Sequence, residues 1–322
     1  MFYAVRHFTR YRYSRPVWQS MMEVRMHPRS EGIQRCFIFQ LSVNPRARIF
    51  SYTDCRGNLV HHFDLPSQHR QLTIVSDALV NIDAQQPLVE SMEYSAWDEL
   101  EKQIEQKDYW DMLMPSHFAR TSPELEELAS EIGVNQREGR SPLAFLHDLV
   151  SGVYRSFTYV KKSTSVNSPI ELALRSRQGV CQDFAHIAIA LIRNAQIPCR
   201  YVSGYLYHGG ETNDRSADGA THAWVEALLP SLGWVGFDPT NNLVAGERHI
   251  RTAVGRDYAD VPPTMGTMKG KSDTELQVRV RVTPSEAVLP PDEEFAADEE
   301  WSQFIHEDQQ SQLKHAQHQQ QQ

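Results

Sequence analysis

A chain of 322 residues, 40% hydrophobic and 10% aromatic, can bury one large core or two moderate ones, so a globular protein of two domains is expected. The net charge of −9 is concentrated at one end: residues 285–322 hold nine acidic side chains against one lysine, which leaves the body of the chain near −1. No basic stripe runs through that body, so neither nucleic acid nor an anionic membrane surface is the expected partner.

The opening stretch MFYAVRHFTRYRYS alternates aromatic and basic residues and lacks the apolar run of about 7–15 residues that a secretion signal needs. No stretch approaches the ~18 consecutive apolar residues of a membrane span. A cytoplasmic protein without membrane contact is expected. From there to about residue 84 the sequence reads as short strands: YAVRHFTRYRY, SMMEVRMHP, QRCFIFQLSVNP, RIFSYTD, NLVHHFDL and QLTIVSDALVNI. Alternation such as Phe37, Phe39, Leu41 and Val43 buries one face of each, and a self-contained β-sandwich-like N-terminal domain over residues 1–84 is expected.

From about residue 88 the period changes to that of helices, beginning with VESMEYSAWDELEKQIEQ. In SPELEELASEIG, Ser122 stands as N-cap, Pro123 as first helical residue and Gly133 as stop. In SPLAFLHDLVSGVYRSFTYV, Leu143, Leu146, Leu149, Val150, Val153 and Phe157 share one helix face. Strands follow in THAWVEALL, GWVGFDPT and TELQVRVRVTP, and residues 85–284 read as an α+β unit. Residues 285–322 turn acidic and then Gln-rich, a composition that cannot offset chain entropy by burial, and a disordered tail is expected.

Between these helices and strands lies GVCQDFAHIAIALIRNA, where Phe184, Ile187, Ala188 and Leu191 recur at helical spacing. That spacing makes Cys181 the first or second residue of a helix, after a glycine that frees the approach. A helix N-terminus presents unsatisfied N–H groups and the positive end of the dipole, which stabilise a thiolate and can receive an oxyanion forming beside it. The other three cysteines, Cys36, Cys55 and Cys199, have no such setting, and the four form neither a C-x-x-C pair nor a zinc spacing. Ordinary thiols rather than a disulfide framework are expected, with no metal and no cofactor.

A cysteine alone at a helix start is more often a small buried hydrophobe. Two further residues change the balance: His222 opens the strand THAWVEALL, and Asp238 closes the next, GWVGFD, sixteen residues on. Neighbouring antiparallel strands can bring the two side by side. A cysteine facing a histidine that an aspartate orients is the arrangement of nucleophile, base and orienting group.

These residues sit in motifs that resemble the transglutaminase-like superfamily of papain-fold enzymes, in its bacterial branch: GVCQDFAH, QIPCRYVSGYL, THAWVEALLPSLGWVGFDPTNN and GRDYADVPP. The likeness covers roughly residues 141–263, and the first 84 residues resemble the N-terminal domain that accompanies this branch. It implies a papain-like core in which a nucleophile helix packs on an antiparallel sheet, with Cys181 as nucleophile, His222 as general base and acid, and Asp238 holding the imidazole. QIPCR stands where the family has GIP, a turn variation outside the catalytic positions. Animal relatives use calcium, but no acidic loop here has calcium-ligand spacing.

Nearby residues have simpler readings. His186, five residues after Cys181, sits roughly 140° round the helix at about 100° per residue and is read as a hydrogen-bonded structural histidine. Asp183 is read as a cap on the first turn. Gln182 and Trp224 suit a cleft wall or simple packing, and Tyr258 and Asp260 stay outside the catalytic set. The expected reaction is acyl transfer through a thioester on a peptide or protein substrate. The sequence does not settle hydrolysis against transfer to an amine, since the choice depends on how the acceptor cleft excludes water, and hydrolysis is slightly favoured. A non-enzymatic peptide-binding module and a redox sensor built on Cys181 are the alternatives. The oligomeric state is left open.

Overall fold

The structure, a computed structural model, describes residues 1–84, 88, 89, 91–137, 139–209, 212 and 214–288, so nearly all of the tail expected to be disordered lies outside the described residues. Five strands come first: β1 (Phe2–Val24), β2 (Gln34–Asn44), β3 (Phe50–Thr53), β4 (Leu59–Leu65) and β5 (His69–Ile82). Helices α1 (Ala96–Gln106), α2 (Trp110–Leu113), α3 (Pro123–Glu131) and α4 (Pro142–Ser156) follow. The middle of the chain carries β6 (Thr158–Tyr159), α5 (Ile170–Ser176), β7 (Gln178–Gly179), α6 (Cys181–Asn194) and β8 (Cys199–Leu206). After these come β9 (His222–Leu229), β10 (Gly233–Asp238), β11 (Leu243–Val244), β12 (His249–Gly255), β13 (Thr264–Lys269) and β14 (Thr274–Ser285).

The two strands read at the start of the chain are one. β1 is 23 residues long, and its register against β5 shifts between Arg12 and Val17. Phe2–Tyr13 lies between β5 and β14, while the part from Trp18 to Val24 lies between β4 and β13. The seven-stranded antiparallel sheet therefore curls on itself. Met22, Val24, Phe63 and Leu65 of one half pack on Leu72 and Ile74 of the other, which gives the sandwich-like core.

One expectation needs correction. Residues 1–84 do not form a closed unit, and the strand TELQVRVRVTP does not belong to the second sheet: as β14 it pairs with β1 from Tyr13↔Thr274 to Phe2↔Ser285. Alternation in Leu276, Val278, Val280 and Val282 marks an apolar face without saying which sheet accepts it. The first helix is also shorter than read, starting at Ala96. Trp97 and Leu100 reach the core there, whereas Val89 and Tyr94 upstream stay exposed.

The cap of α3 behaves as the sequence predicts, and α4 starts in the same way. Ser122 Oγ accepts from the Leu125 amide and Ser141 Oγ from the Ala144 amide, each with a proline at the first helical position. Gly133, at φ +70°, lets the Val134 amide return to the Ala129 carbonyl and closes α3.

The second sheet has strand order β11-β10-β9-β8-β12, all antiparallel. α6 lies against it and is buried from Gln182 to Arg193. The curled sheet covers it elsewhere, with Tyr3, Val5, Val80, Ile82 and Val280 meeting Tyr205 and Ile250. Strand β12 is an edge, yet its outer backbone is paired. The Gln34 carboxamide bonds both N–H and C=O of Arg251 (2.8 and 2.9 Å), and the Asn58 carboxamide does the same for Val254 (2.8 and 2.9 Å).

Candidate active site

Cys181 is the first residue of α6, entered from an extended Val180 (φ −113°, ψ 176°). Asp183 fixes this turn: its Oδ2 accepts from the Val180 amide (2.8 Å) and the Thr164 hydroxyl (2.5 Å). Glycine is required at 179 because a Cβ there would stand 2.9 Å from Asp183 Cβ. Burial raises the Asp183 carboxyl above the usual range, and these two donors oppose it. Asp183 is thus a cap, as read. The amides of Cys181 and Gln182, first and second in the helix, have no intrahelical acceptor by their position. The Gln182 carboxamide is turned to the loop before α5, donating to the Val166 carbonyl at 3.0 Å.

His222 and Asp238 meet as the strand pairing requires. β9 and β10 are in register from Gly233↔Leu229 to Phe237↔Val225, which brings the start of one beside the end of the other. His222 Nε2 lies 2.7 Å from Asp238 Oδ2, with the two residues 3% and 0% exposed. A carboxylate so deeply buried keeps its charge only if its lone pairs are met. Asp238 Oδ1 accepts from the amides of Thr240 (2.9 Å) and Asn241 (3.2 Å). Its Oδ2 accepts from His222, from Asn241 Nδ2 (2.7 Å) and from His249 Nε2 (3.2 Å). Desolvation works against the anion, but the imidazoles outweigh it and hold the Asp238 carboxyl far below its ordinary range.

The same balance charges His222. Burial alone would lower the ring, yet the charge and hydrogen bond of Asp238, then those of Cys181, raise it to about 10. Nε2 is taken by Asp238, and Nδ1 has no other hydrogen-bond partner. Nδ1 is therefore the nitrogen available to the Cys181 thiol. The chain thus brings together all three residues read from the sequence. The phenol of Tyr159 lies within the field of the same sulfur: burial first, and Cys181 second, push it up to about 12.

His249 and Asn241 carry no signal that the sequence reading used. His249 stands in ERHIRTAVG, a strand pattern with charged neighbours, and only the sheet order brings it to Asp238. Asn241 follows Asp238 by three residues in DPTNN, a turn that its side chain closes. Trp224, read as a cleft wall or as packing, is fully buried and stacks on His222 with ring centroids 6.0 Å apart.

His222, Asp238 and His249 place three ligand-type atoms within 4.8 Å of one another. Their hydrogen bonding does not suit a cation. The Gly246 amide donates to His249 Nδ1 at 3.3 Å, so the proton of that neutral ring is on Nε2 and points at Asp238. Nε2 of His249 thus offers a hydrogen where a metal needs a lone pair.

The remaining sequence candidates are structural. His186 is fully buried, its Nε2 accepts from the Tyr258 amide (3.1 Å), and its ring stacks on Phe118. Asp260 holds Arg256 through two side-chain bonds of 3.0 Å, which shapes the GRDYADVPP loop. Among the other thiols, burial pushes Cys36 and Cys199 up to about 11, and Cys55 is exposed.

Two family models match the chain: the bacterial transglutaminase-like N-terminal region over residues 3–81 and the transglutaminase-like superfamily core over residues 128–239. An uncharacterised protein of Mycobacterium leprae is 32% identical over 278 residues, covering 86% of this chain and 96% of that one. A protein-glutamine gamma-glutamyltransferase of Pseudomonas aeruginosa is 28% identical over 178 residues, covering 52% of this chain and 26% of that one. A candidate cysteine protease from Cytophaga hutchinsonii shares the fold at a TM-score of 0.66 and 21% identity, over 89% of this chain and 92% of that one. Among the described residues no helix is long and apolar enough to cross a membrane. With a matching N-terminal region, a matching core and a relative of almost equal extent, the chain belongs to the transglutaminase-like superfamily.

Proposed function

We propose that this chain catalyses cysteine-dependent acyl transfer on peptide or protein substrates, with water as the favoured acceptor. One observation carries the reading. His222 is held by Asp238 at 2.7 Å through Nε2, and its Nδ1 is left for Cys181 at the start of α6.

In this reading the proton shared with Cys181 is already held on Nδ1 of the charged His222, and the Cys181 sulfur adds to the substrate carbonyl carbon. The oxyanion forms beside the free amides of Cys181 and Gln182. His222 returns the proton to the departing amine as the C–N bond breaks, leaving a thioester. Water, deprotonated by His222, adds to the thioester and expels the thiol as the carboxylic acid is released. Asp238 keeps the imidazole in one tautomer throughout and stabilises its charged form. No step needs a cofactor. The four free thiols support a reducing, cytoplasmic setting.

Transfer of the acyl group to an amine is the second reading, favoured by the name of the Pseudomonas relative. A purely binding role fits poorly with a fully buried carboxylate that four other donors hold against the His222 imidazole. Fluorescently labelled casein, assayed for peptide release and for incorporation of dansylcadaverine, tests both readings with Cys181→Ala as the control. Release above that control supports hydrolysis and incorporation above it supports amine transfer. Binding without either supports the non-enzymatic module.

A further inference from the structure

Cys181, His222 and Asp238 complete the chemistry proposed above and leave His249 over. This residue opens β12, on the far side of β8 from β9, and reaches the end of β10. Gly204 in β8 leaves room beside these strands for Trp224. It pairs with His222 on one side and Arg251 on the other, and a Cβ there would lie 2.7 Å from Trp224 Cη2 and closer still to the Ile250 carbonyl. His249 packs edge-on against Trp224 at 5.1 Å between centroids, and Trp224 in turn stacks on His222.

We propose that His249 is a positioning residue for acyl transfer: a neutral imidazole whose Nε2–H, together with Asn241 Nδ2–H, occupies Asp238 Oδ2 so that the carboxylate meets His222 from one direction only. The two imidazoles on this oxygen are not interchangeable. His222 Nδ1 is open to the nucleophile, whereas His249 Nδ1 accepts from the Gly246 amide at 3.3 Å and has no lone pair free for a second proton. Burial disfavours a positive charge on His249, and so does the charge on His222 across the shared carboxylate. The mobile proton is thereby confined to the ring beside Cys181. At 3.2 Å from Asp238 and 6% exposed, His249 also denies that lone pair to water.

This inference rests on the Cys181, His222 and Asp238 reading, and its test separates the two. Wild type, His249→Gln and His249→Leu are compared on labelled casein, with thermal midpoints as the folding control. 15N spectra of the wild-type histidines are recorded at pH 7.5. Leucine removes the donor, and kcat is expected to fall about tenfold or more while KM stays within about twofold. Glutamine can replace the Nε2 donor and is expected to recover most of that loss. The 15N pattern of His249 is expected to be that of a neutral ring protonated on Nε2, an arm that needs neither a substrate nor a folded variant. Wild-type kcat in His249→Leu overturns the proposal. So does a glutamine variant no better than leucine at equal midpoints, or a His249 that is charged or protonated on Nδ1. Iodoacetamide alkylation of Cys181 that is unchanged in His222→Gln sinks the underlying reading instead. If it depends on His222 while His249→Leu turns over normally, only the role of His249 is lost.

Discussion

Strands β8 and β9 are buried at all eight of their residues, whereas β2 and β14 each bury one. The difference follows from what covers them. The central strands have α6 on one side and the curled sheet on the other, while β2 and β14 leave a face to solvent. Polar residues follow that difference. On the curled sheet a charged side chain meets water at little expense. In the covered sheet each one must be fully matched: Glu226, 2% exposed, takes Arg200 at 2.7 Å and Arg251 at 3.1 Å, and Asp238 takes five donors. The candidate site is built where polar groups cost most.

The comparison predicts unequal responses to substitution. Cys181→Ala is expected to lower turnover by more than about a thousandfold with the fold intact, while alanine at Cys36, Cys55 or Cys199 keeps at least partial activity. Parallel assays and thermal midpoints check this. Asp238→Ala leaves His222 and His249 without their shared acceptor. It is expected to destabilise by about 3–5 kcal/mol and to slow turnover at least a hundredfold. Asp77→Ala, which removes the 2.5 Å partner of Arg6 on the curled sheet, where the two side chains are 16% and 10% exposed, is expected to cost about 1–3 kcal/mol, less than Asp238→Ala. Urea unfolding of the two variants under one buffer measures the contrast.

The buried pair also sets a pH dependence. His222 is raised from 6.5 to about 10 by folding, so its contribution is fully present below pH 6.5 and is lost as pH rises toward 10. Unfolding free energy is expected to fall between pH 6.5 and 9 in wild type, and the slope should be absent in His222→Gln. Asp238 is shifted the other way, and its contribution is lost only in strong acid. At the small end, Phe37→Ser and Leu276→Ser, at positions 62% and 54% exposed on β2 and β14, are expected to change stability by no more than about 0.5 kcal/mol.

What could be read from the sequence was local. The cap of α3 rests on a Ser-Pro pair, and the place of Cys181 rests on a glycine followed by helical spacing. The pairing of His222 with Asp238 followed from two adjacent strands joined by a short turn. The partner of β14 was not legible, because it lies over 250 residues away and alternation is the same on either sheet. His249 was not legible for the same reason. Its neighbours in sequence are charged, and its acceptor stands across two strands in the sheet order. Asn241 was hidden in a turn whose residues also serve loops without function.

The central claim, that Cys181 and His222 act as one unit, is tested most directly by iodoacetamide alkylation of Cys181 at pH 6.5, followed by mass spectrometry in wild type and His222→Gln. The account predicts that in wild type Cys181 is modified well before the exposed Cys55, and that its rate drops about tenfold or more when the imidazole is removed. Equal rates at Cys181 in the two proteins would contradict it.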